Sequence, residues 1–307
     1  MTRRRASPES RVDGLLLVDK PAGVSSHDVV SVARRAVGER QLGHGGTLDP
    51  FATGLLVLLL GRATRLLTYL HDEPKVYEAT VRFGAETDTE DLGGTVVRHA
   101  RLPSRAALLD VLPRFHGDIS QVPPAYSAKR VAGRRAYEIA REGGEVELTA
   151  VPVHIAQVAL DEFEECDGGV AACRMRVTCG GGTYVRSLAR DIARAAGTAA
   201  HLVALRRHRA GVFDLSRAAP FEALRERRVA VLPAVDAVEG HAAQLLASEE
   251  IAQVTRGIDV EARVPGAFAA LLDGAAPSAA TQLVAFAERR PAERGDRWQP
   301  RVVLRDR

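Results

Sequence analysis

The chain has 307 residues, 46% of them apolar and 26% charged, with a formal net charge of +3. This length suggests one large and one small domain with enough apolar material for a sizeable core. The near-neutral balance gives no overall argument for nucleic-acid binding, so the local distribution of charge must carry it. Three cysteines, Cys166, Cys173 and Cys179, with no C-x-x-C pair, exclude a disulfide framework and a zinc knuckle.

The basic start, Thr2-Arg3-Arg4-Arg5, reads as a solvated tail over residues 1–12, with phosphate contact as the alternative. No signal-like apolar run follows it, and the longest apolar stretch, Leu55 to Leu60, is too short to span a bilayer. A cytosolic protein is therefore expected. A strand over Gly14 to Val18 meets turn chemistry at Asp19 to Gly23. Ser25 or Ser26 then caps a helix with apolar face Val29, Val32, Ala33, Ala36 and Val37, stopped by Gly38. A glycine-rich loop, Gly43 to Pro50, leads into the buried-strand run Leu55 to Leu60. Ala63 to Leu70 reads as helical, Tyr77 to Phe83 as a strand, and Thr87 to Gly94 as an acidic turn. Ser104 caps a helix running toward Pro113.

Gln121 to Ala150 holds prolines, glycines and a cluster of Lys129, Arg130, Arg134, Arg135 and Arg141. It reads either as a projecting basic segment or as a surface loop balanced by Glu138, Glu142, Glu145 and Glu147. Strands follow at Ile155 to Leu160 and Ala171 to Cys179. In the second, Cys173, Met175, Val177 and Cys179 alternate with polar residues, so the thiols belong to a core. A helix after Gly182 buries Val185, Leu188, Ala189, Ile192 and Ala196, with Gly197 as its terminator. Arg186, Arg190 and Arg194, four apart, form one basic stripe. Near Val235 to Gly240 the strand–helix alternation stops. Short strands at Ala267 to Leu272, Leu283 to Ala287 and Val302 to Leu304, with a turn at Asp273-Gly274, predict a small all-β module.

The segment Gly43-His44-Gly45-Gly46-Thr47-Leu48-Asp49-Pro50-Phe51-Ala52-Thr53-Gly54 is the most informative. Four glycines in twelve residues permit close backbone approach to a ligand. Asp49 beside His44 is a candidate nucleophile or base, or else an Asx-turn acid before proline. No G-K-[ST] follows for a phosphate loop, and no G-x-S-x-G elbow occurs to make His44-Gly45-Gly46 an esterase oxyanion loop. The spacing does not fit a dinucleotide fingerprint either.

The same segment resembles the G-H-x-G-T-L-D-P-x-A-T-G signature of TruB-type pseudouridine synthases. The resemblance extends in order through Asp19-Lys20-Pro21-Ala22-Gly23-Val24-Ser25-Ser26 (D-K-P-x-G-x-[ST]-S), Lys75-Val76-Tyr77 (K-x-Y), Gln121 to Lys129 (Q-x-P-P-x-[YF]-S-A-x-K), Gly182 to Leu188 (G-T-Y-[IV]-R-[ST]-[LI]) and Leu205-Arg206-Arg207 (L-R-R). Gly45 departs from the threonine or alanine common in the family at that position.

The resemblance implies an α+β pseudouridine-synthase fold, with a mixed, mostly antiparallel sheet flanked by helices and a small C-terminal all-β PUA-like domain. It divides the chain into a catalytic domain over 13–236, carrying an RNA-clasping insertion at about 121–150, and a PUA-like RNA-binding domain over 240–307. It implies isomerisation of uridine 55 in the tRNA T-loop to pseudouridine, acting on a flipped-out base with neither metal nor cofactor. Asp49 takes the catalytic role and Arg186 pairs with it. Tyr77 packs against the base, His44 occupies the space the base vacates, and Tyr184 and Leu205 wall the pocket. Lys20 braces the loop or meets phosphate, and Lys129, Arg130, Arg134 and Arg135 meet RNA. A monomer with tRNA as its partner and no membrane association is expected. A non-catalytic tRNA-binding or tRNA-folding protein on the same scaffold is the alternative.

Overall fold

The computed structural model describes residues 12–70, 74–127, 148–274, 282–293 and 295–305, together with 129–131, 134–136, 139, 142 and 144. The basic tail up to residue 11, Arg141 and the side chains of Arg130 and Arg135 lie outside the described residues.

An eleven-stranded sheet carries the larger part of the chain. Its main path runs Ala219–Pro220, Gly14–Lys20, Thr53–Leu60, Ala200–Ala210, Lys75–Phe83, Gly169–Cys179, Val151–Cys166 and Gly117–Gln121. Neighbours are antiparallel except at two places. Gly14–Lys20 runs parallel to Ala219–Pro220, and Thr53–Leu60 runs parallel to Ala200–Ala210. That second pair shares only two register positions, Arg206↔Thr53 and Arg207↔Gly54, so the sheet is hinged open along this seam.

Thr53–Leu60 shows why one stretch of the sequence is apolar without alternation. Leu56, Leu58 and Leu60 face a core with Leu16, Val18, Val29, Val30, Leu188 and Ile192. Leu55, Val57 and Leu59 face a second core with Leu15, Leu17, Ala63, Leu66, Phe286 and Val302. A strand covered on both faces must be apolar at every position, and each such leucine contributes about 1.5–3 kcal/mol by its burial. The second core contains residues of the C-terminal sheet, so that sheet packs directly on the back of this strand.

The helix Ser26–Val37 begins with a capping box: Ser25 Oγ accepts from the Asp28 N–H, and Asp28 accepts from the Ser25 N–H. Gly38 ends it in the left-handed conformation at φ 72°. The helix Val185–Ala195 buries Val185, Leu188, Ala189 and Ile192, as its spacing predicts. In Gly169–Cys179 the residues Cys173, Met175, Val177 and Cys179 are all buried, and burial pushes the Cys173 thiol up to about 12.

Two predicted elements differ, and some strands were not predicted. The glycine-rich loop is shorter than expected, because Leu42–Gly45 is a strand in a hairpin with Thr53–Leu60. Ala63 to Leu70 belongs to a 3₁₀ segment, Gly61–Tyr69, rather than a regular α-helix. Two strands, Gly117–Gln121 and Ala200–Ala210, have no counterpart in the sequence reading.

The C-terminal sheet has five strands: Ala242–Leu246, Phe268–Asp273, Leu283–Arg290, Arg297–Val303 and the short Val260–Glu261, with one helix, Ser248–Val254. Trp298, fully buried, donates its indole N–H to Gln244 at 2.9 Å. No helix among the described residues is long and apolar enough to cross a membrane.

Candidate active site

Asp49 lies in the turn joining Leu42–Gly45 to Thr53–Leu60, at the open seam of the large sheet. Its backbone is pinned on both sides. Ser26 Oγ accepts from the Leu48 N–H at 2.9 Å and donates to the Leu48 carbonyl at 3.0 Å. The Lys20 ammonium donates to the Pro50 carbonyl at 3.3 Å, and the Gly23 N–H to the same oxygen at 2.8 Å. The Lys20-to-Ser26 motif therefore holds the loop that follows it. Lys20 also donates to the carbonyls of Pro21 and Val24 and is fully buried, so of its two expected roles the bracing one fits and phosphate contact does not. Burial lowers its pKa to about 8, against the pull of the Asp49 charge.

Gly54 answers to a close approach. It sits at φ 99°, and a Cβ there would lie 2.3 Å from the Arg207 carbonyl oxygen, so no other residue fits the seam.

The Asp49 carboxylate meets Arg186 in a two-point pair, Nε to Oδ2 at 2.9 Å and Nη2 to Oδ1 at 3.1 Å. The guanidinium is 4% exposed and the carboxylate 33%, so the acid faces the cleft while its partner is walled in. Arg186 also donates to the carbonyls of Thr89 at 2.6 Å and Tyr126 at 3.0 Å, with Asp91 Oδ2 at 3.6 Å. Burial raises the Asp49 pKa above the ordinary carboxylate range. Arg186 opposes that shift and Asp91 adds to it.

The helix start that presents Arg186 is fixed by Gln121. Its side-chain oxygen accepts from the Tyr184 N–H at 2.9 Å, and its amide nitrogen donates to the Tyr184 carbonyl at 3.1 Å. Tyr184 thus occupies the N-cap position without a side-chain cap, and Gln121 holds that residue by its own N–H and carbonyl.

Tyr77 is buried on Lys75–Phe83, directly opposite Arg207 in the register, close enough to Asp49 for the two groups to interact electrostatically. Burial raises the pKa of its phenol. Leu205, buried on the same strand as Arg207, pairs with Ala79. His44 is half-buried on the hairpin strand opposite Leu58. Its Nδ1 has no hydrogen-bond partner among the described residues, and burial lowers its pKa. Asp49 and Arg186 are thus in direct contact, and Tyr77 lies near enough to Asp49 to feel its charge.

The arginine stripe is not a free cationic surface. Arg190 pairs with buried Glu90 and with Asp191, and Arg194 pairs with Glu86. Glu90 adopts φ 61°, a left-handed conformation that costs a non-glycine residue about 1–3 kcal/mol, and its carboxylate also accepts from Ser187 Oγ at 2.8 Å. The acidic turn Thr87 to Gly94 is thereby clamped to the helix through its neighbours Thr89 and Asp91, which both touch Arg186. Spacing alone revealed the arginines but not carboxylates about a hundred positions earlier in the chain. Glu90, Asp91, Gln121 and Arg207 are the site residues that sequence reasoning left without roles. The last two stand inside recognised motifs, which was the available signal.

Of the four cations expected to meet RNA, Arg134 pairs with Glu142 at 2.6 Å, and Lys129 donates to the Thr149 carbonyl at 3.3 Å. Both lie outside the cleft, near a two-stranded hairpin of Arg130–Val131 and Arg134–Arg135.

A family model described as the N-terminal domain of TruB family pseudouridylate synthases matches residues 34–185. A tRNA pseudouridine synthase B from Gluconacetobacter diazotrophicus is 46% identical over 215 residues, covering 70% of this chain and 68% of its own. Its namesake from Thermobifida fusca is 46% identical over 231 residues, covering 74% and 78%, and that from Bordetella pertussis is 48% identical over 219, covering 69% and 87%. Among solved structures, an H/ACA RNP bound to a substrate RNA containing 2′-deoxyuridine aligns with a TM-score of 0.69 at 23% identity, covering 96% of this chain and 86% of that one. A Cbf5–Nop10–Gar1 complex aligns equally well, at 0.69. The family match and these relatives define a pseudouridine synthase, and its fold includes a PUA-like C-terminal sheet. The chain belongs to the TruB family of pseudouridylate synthases.

Proposed function

We propose that the protein converts uridine 55 in the T-loop of tRNA to pseudouridine, with Asp49 as the catalytic carboxylate. The observation that carries this reading is the two-point pair between half-open Asp49 and buried Arg186. The guanidinium favours the ionised acid where burial opposes ionisation, and it fixes the direction of the carboxylate. A protein that only bound tRNA would need neither effect.

The isomerisation breaks the bond from C1′ of the ribose to N1 of uracil, turns the base and joins C5 to C1′. The C5 proton leaves and N1 takes one up, so substrate and product have the same composition. Asp49 serves at the sugar or the base as nucleophile, or as a base toward the sugar. The target must leave its stack to reach the cleft. Tyr77 then offers an aromatic face, Tyr184 and Leu205 form apolar walls, and His44 fills the space left in the RNA. Lys129, Arg130, Arg134 and Arg135 on the insertion at 121–150 meet phosphates of the T-arm. The catalytic unit spans 13–236 and the PUA-like unit 240–307.

The test is a T-arm stem-loop transcript incubated with wild type and with Asp49→Asn, followed by quantification of pseudouridine. Wild type should form it and the variant should fall to background, with tRNA affinity within about threefold of wild type because phosphate contacts dominate binding. Equal activity in the two proteins would reject the role of Asp49.

A further inference from the structure

Arg207 is the largest charge in the site without an opposite. Its side chain is 1% exposed, and among the described residues it makes no ion pair. It donates to two carbonyl oxygens, Nε to Leu55 at 2.8 Å and Nη2 to Gly46 at 3.1 Å, and it hydrogen-bonds the Tyr77 side chain. Its neighbour Arg206, by contrast, turns outward to Asp19 at 2.7 Å. Tyr77, His44, Lys75 and Lys20 all feel the Arg207 charge. A buried cation without a carboxylate is strongly unfavourable unless something else meets its field.

Its position narrows what that something is. Arg207 pairs in register with Tyr77 on one side and with Gly54 on the other, so it bridges the strand of the base-stacking ring and the strand that follows Asp49. Opposed residues on antiparallel strands share a face, which sets the guanidinium behind the Tyr77 phenol. On the reading above, which puts the sugar at Asp49 and the base at Tyr77, Arg207 stands at the base end.

We propose that Arg207 is an electrostatic positioning residue of the reaction: acting through the Tyr77 phenol, its guanidinium opposes the negative charge that uracil carries while detached from the sugar. The proposal rests on the pseudouridine reading above. When the C1′–N1 bond breaks, its electron pair goes to uracil and spreads over N1 and the carbonyl oxygens. The pair is returned when C5 bonds to C1′, after which C5 loses its proton and N1 gains one. A fixed charge near the base end lowers the energy of that interval without touching the bound ground state equally, which is the condition for raising kcat rather than affinity.

The test compares Arg207→Met, which removes the charge, with Arg207→Lys, which keeps it and loses the fork, on a T-arm stem-loop. The Met variant should lose about 100-fold in kcat with KM within about threefold, and the Lys variant should stay within about tenfold of wild type, as an electrostatic effect requires. With 5-fluorouridine at the target position, whose base is a stronger acid and leaves more readily, the single-turnover rate of glycosidic cleavage should show a smaller defect in either variant. A purely structural role predicts that Lys and Met fall together with the melting temperature, and that the fluorinated base rescues nothing. Either result overturns the proposal. If the Met variant does not fold, the fluorouridine comparison on Arg207→Gln, which also removes the charge but keeps a hydrogen-bond donor, decides in its place. An inactive wild type would instead sink the parent reading, so the two failures are separable.

Discussion

The two sheets of this molecule treat arginine differently. In the C-terminal sheet and its flanks, Arg263, Arg289, Arg290, Arg297, Arg301 and Arg305 each have a carboxylate partner within the same unit. In the large sheet the arginines around the cleft form a graded series. Arg190 is fully matched by Glu90 and Asp191, Arg186 pairs with a partly exposed Asp49, and Arg207 is met by carbonyl oxygens and the Tyr77 side chain without a carboxylate. Charge that a fold neutralises internally serves packing and solubility. Charge that it leaves unmatched beside a cleft is available to a substrate, which is why perturbed groups gather at functional sites.

The strongest way to break this comparison is at the clamp. Glu90→Ala strips buried Arg190 of its main partner and should cost about 3–5 kcal/mol of stability, as removal of one member of a buried pair does. Denaturant unfolding checks it, and a loss below 1 kcal/mol would show that the clamp is idle. Phe286→Ala comes next. Phe286 is fully buried against Tyr69, Phe268 and His241 at ring distances of 4.8, 5.7 and 4.9 Å, and against the strand that follows Asp49. Its truncation should cost about 3–4 kcal/mol while leaving tRNA affinity unchanged in the folded fraction. For the same reason, deleting everything after residue 240 would uncover Leu55, Val57 and Leu59 and report on folding before it reported on RNA.

A finer measurement concerns pH. Asp91 adds to the elevation of the Asp49 pKa. Removing a negative neighbour makes ionisation easier, so Asp91→Asn should move the acid limb of the kcat/KM profile to lower pH. A limb that stays put, or moves upward, would mean that Asp49 does not set it. The smallest effect belongs to the C-terminal sheet. Arg301 and Glu288 are each about a third exposed, so Arg301→Ala should change stability by less than about 1 kcal/mol. A larger loss would erase the contrast drawn between the two sheets.

How much of this was legible beforehand follows from where the information sits. The helix carrying Arg186 and the Cys173–Cys179 strand were readable because short-range spacing encodes them, while the role expected of the glycine-rich loop came from its resemblance to the TruB signature. Ala200–Ala210 was not readable. Within it His201, Arg206, Arg207, His208 and Arg209 obscure the apolar alternation, since the strand crosses a cleft and carries polar groups inward. Gly117–Gln121 is a polar edge strand with a single residue, Gln121, doing the pinning. Asp49, Thr89 and Glu90, which hold Arg186 and Arg190, lie 97 to 137 positions earlier in the chain, beyond the reach of any periodicity.

The leucine run after Asp49 has a consequence for anyone who exchanges parts between relatives. Because its even-numbered side chains belong to one interior and its odd-numbered ones to another, a chimera that imports a foreign C-terminal unit inherits half of a lock whose other half is written at residues 55, 57 and 59. Such grafts should work only when those three positions travel with the imported piece.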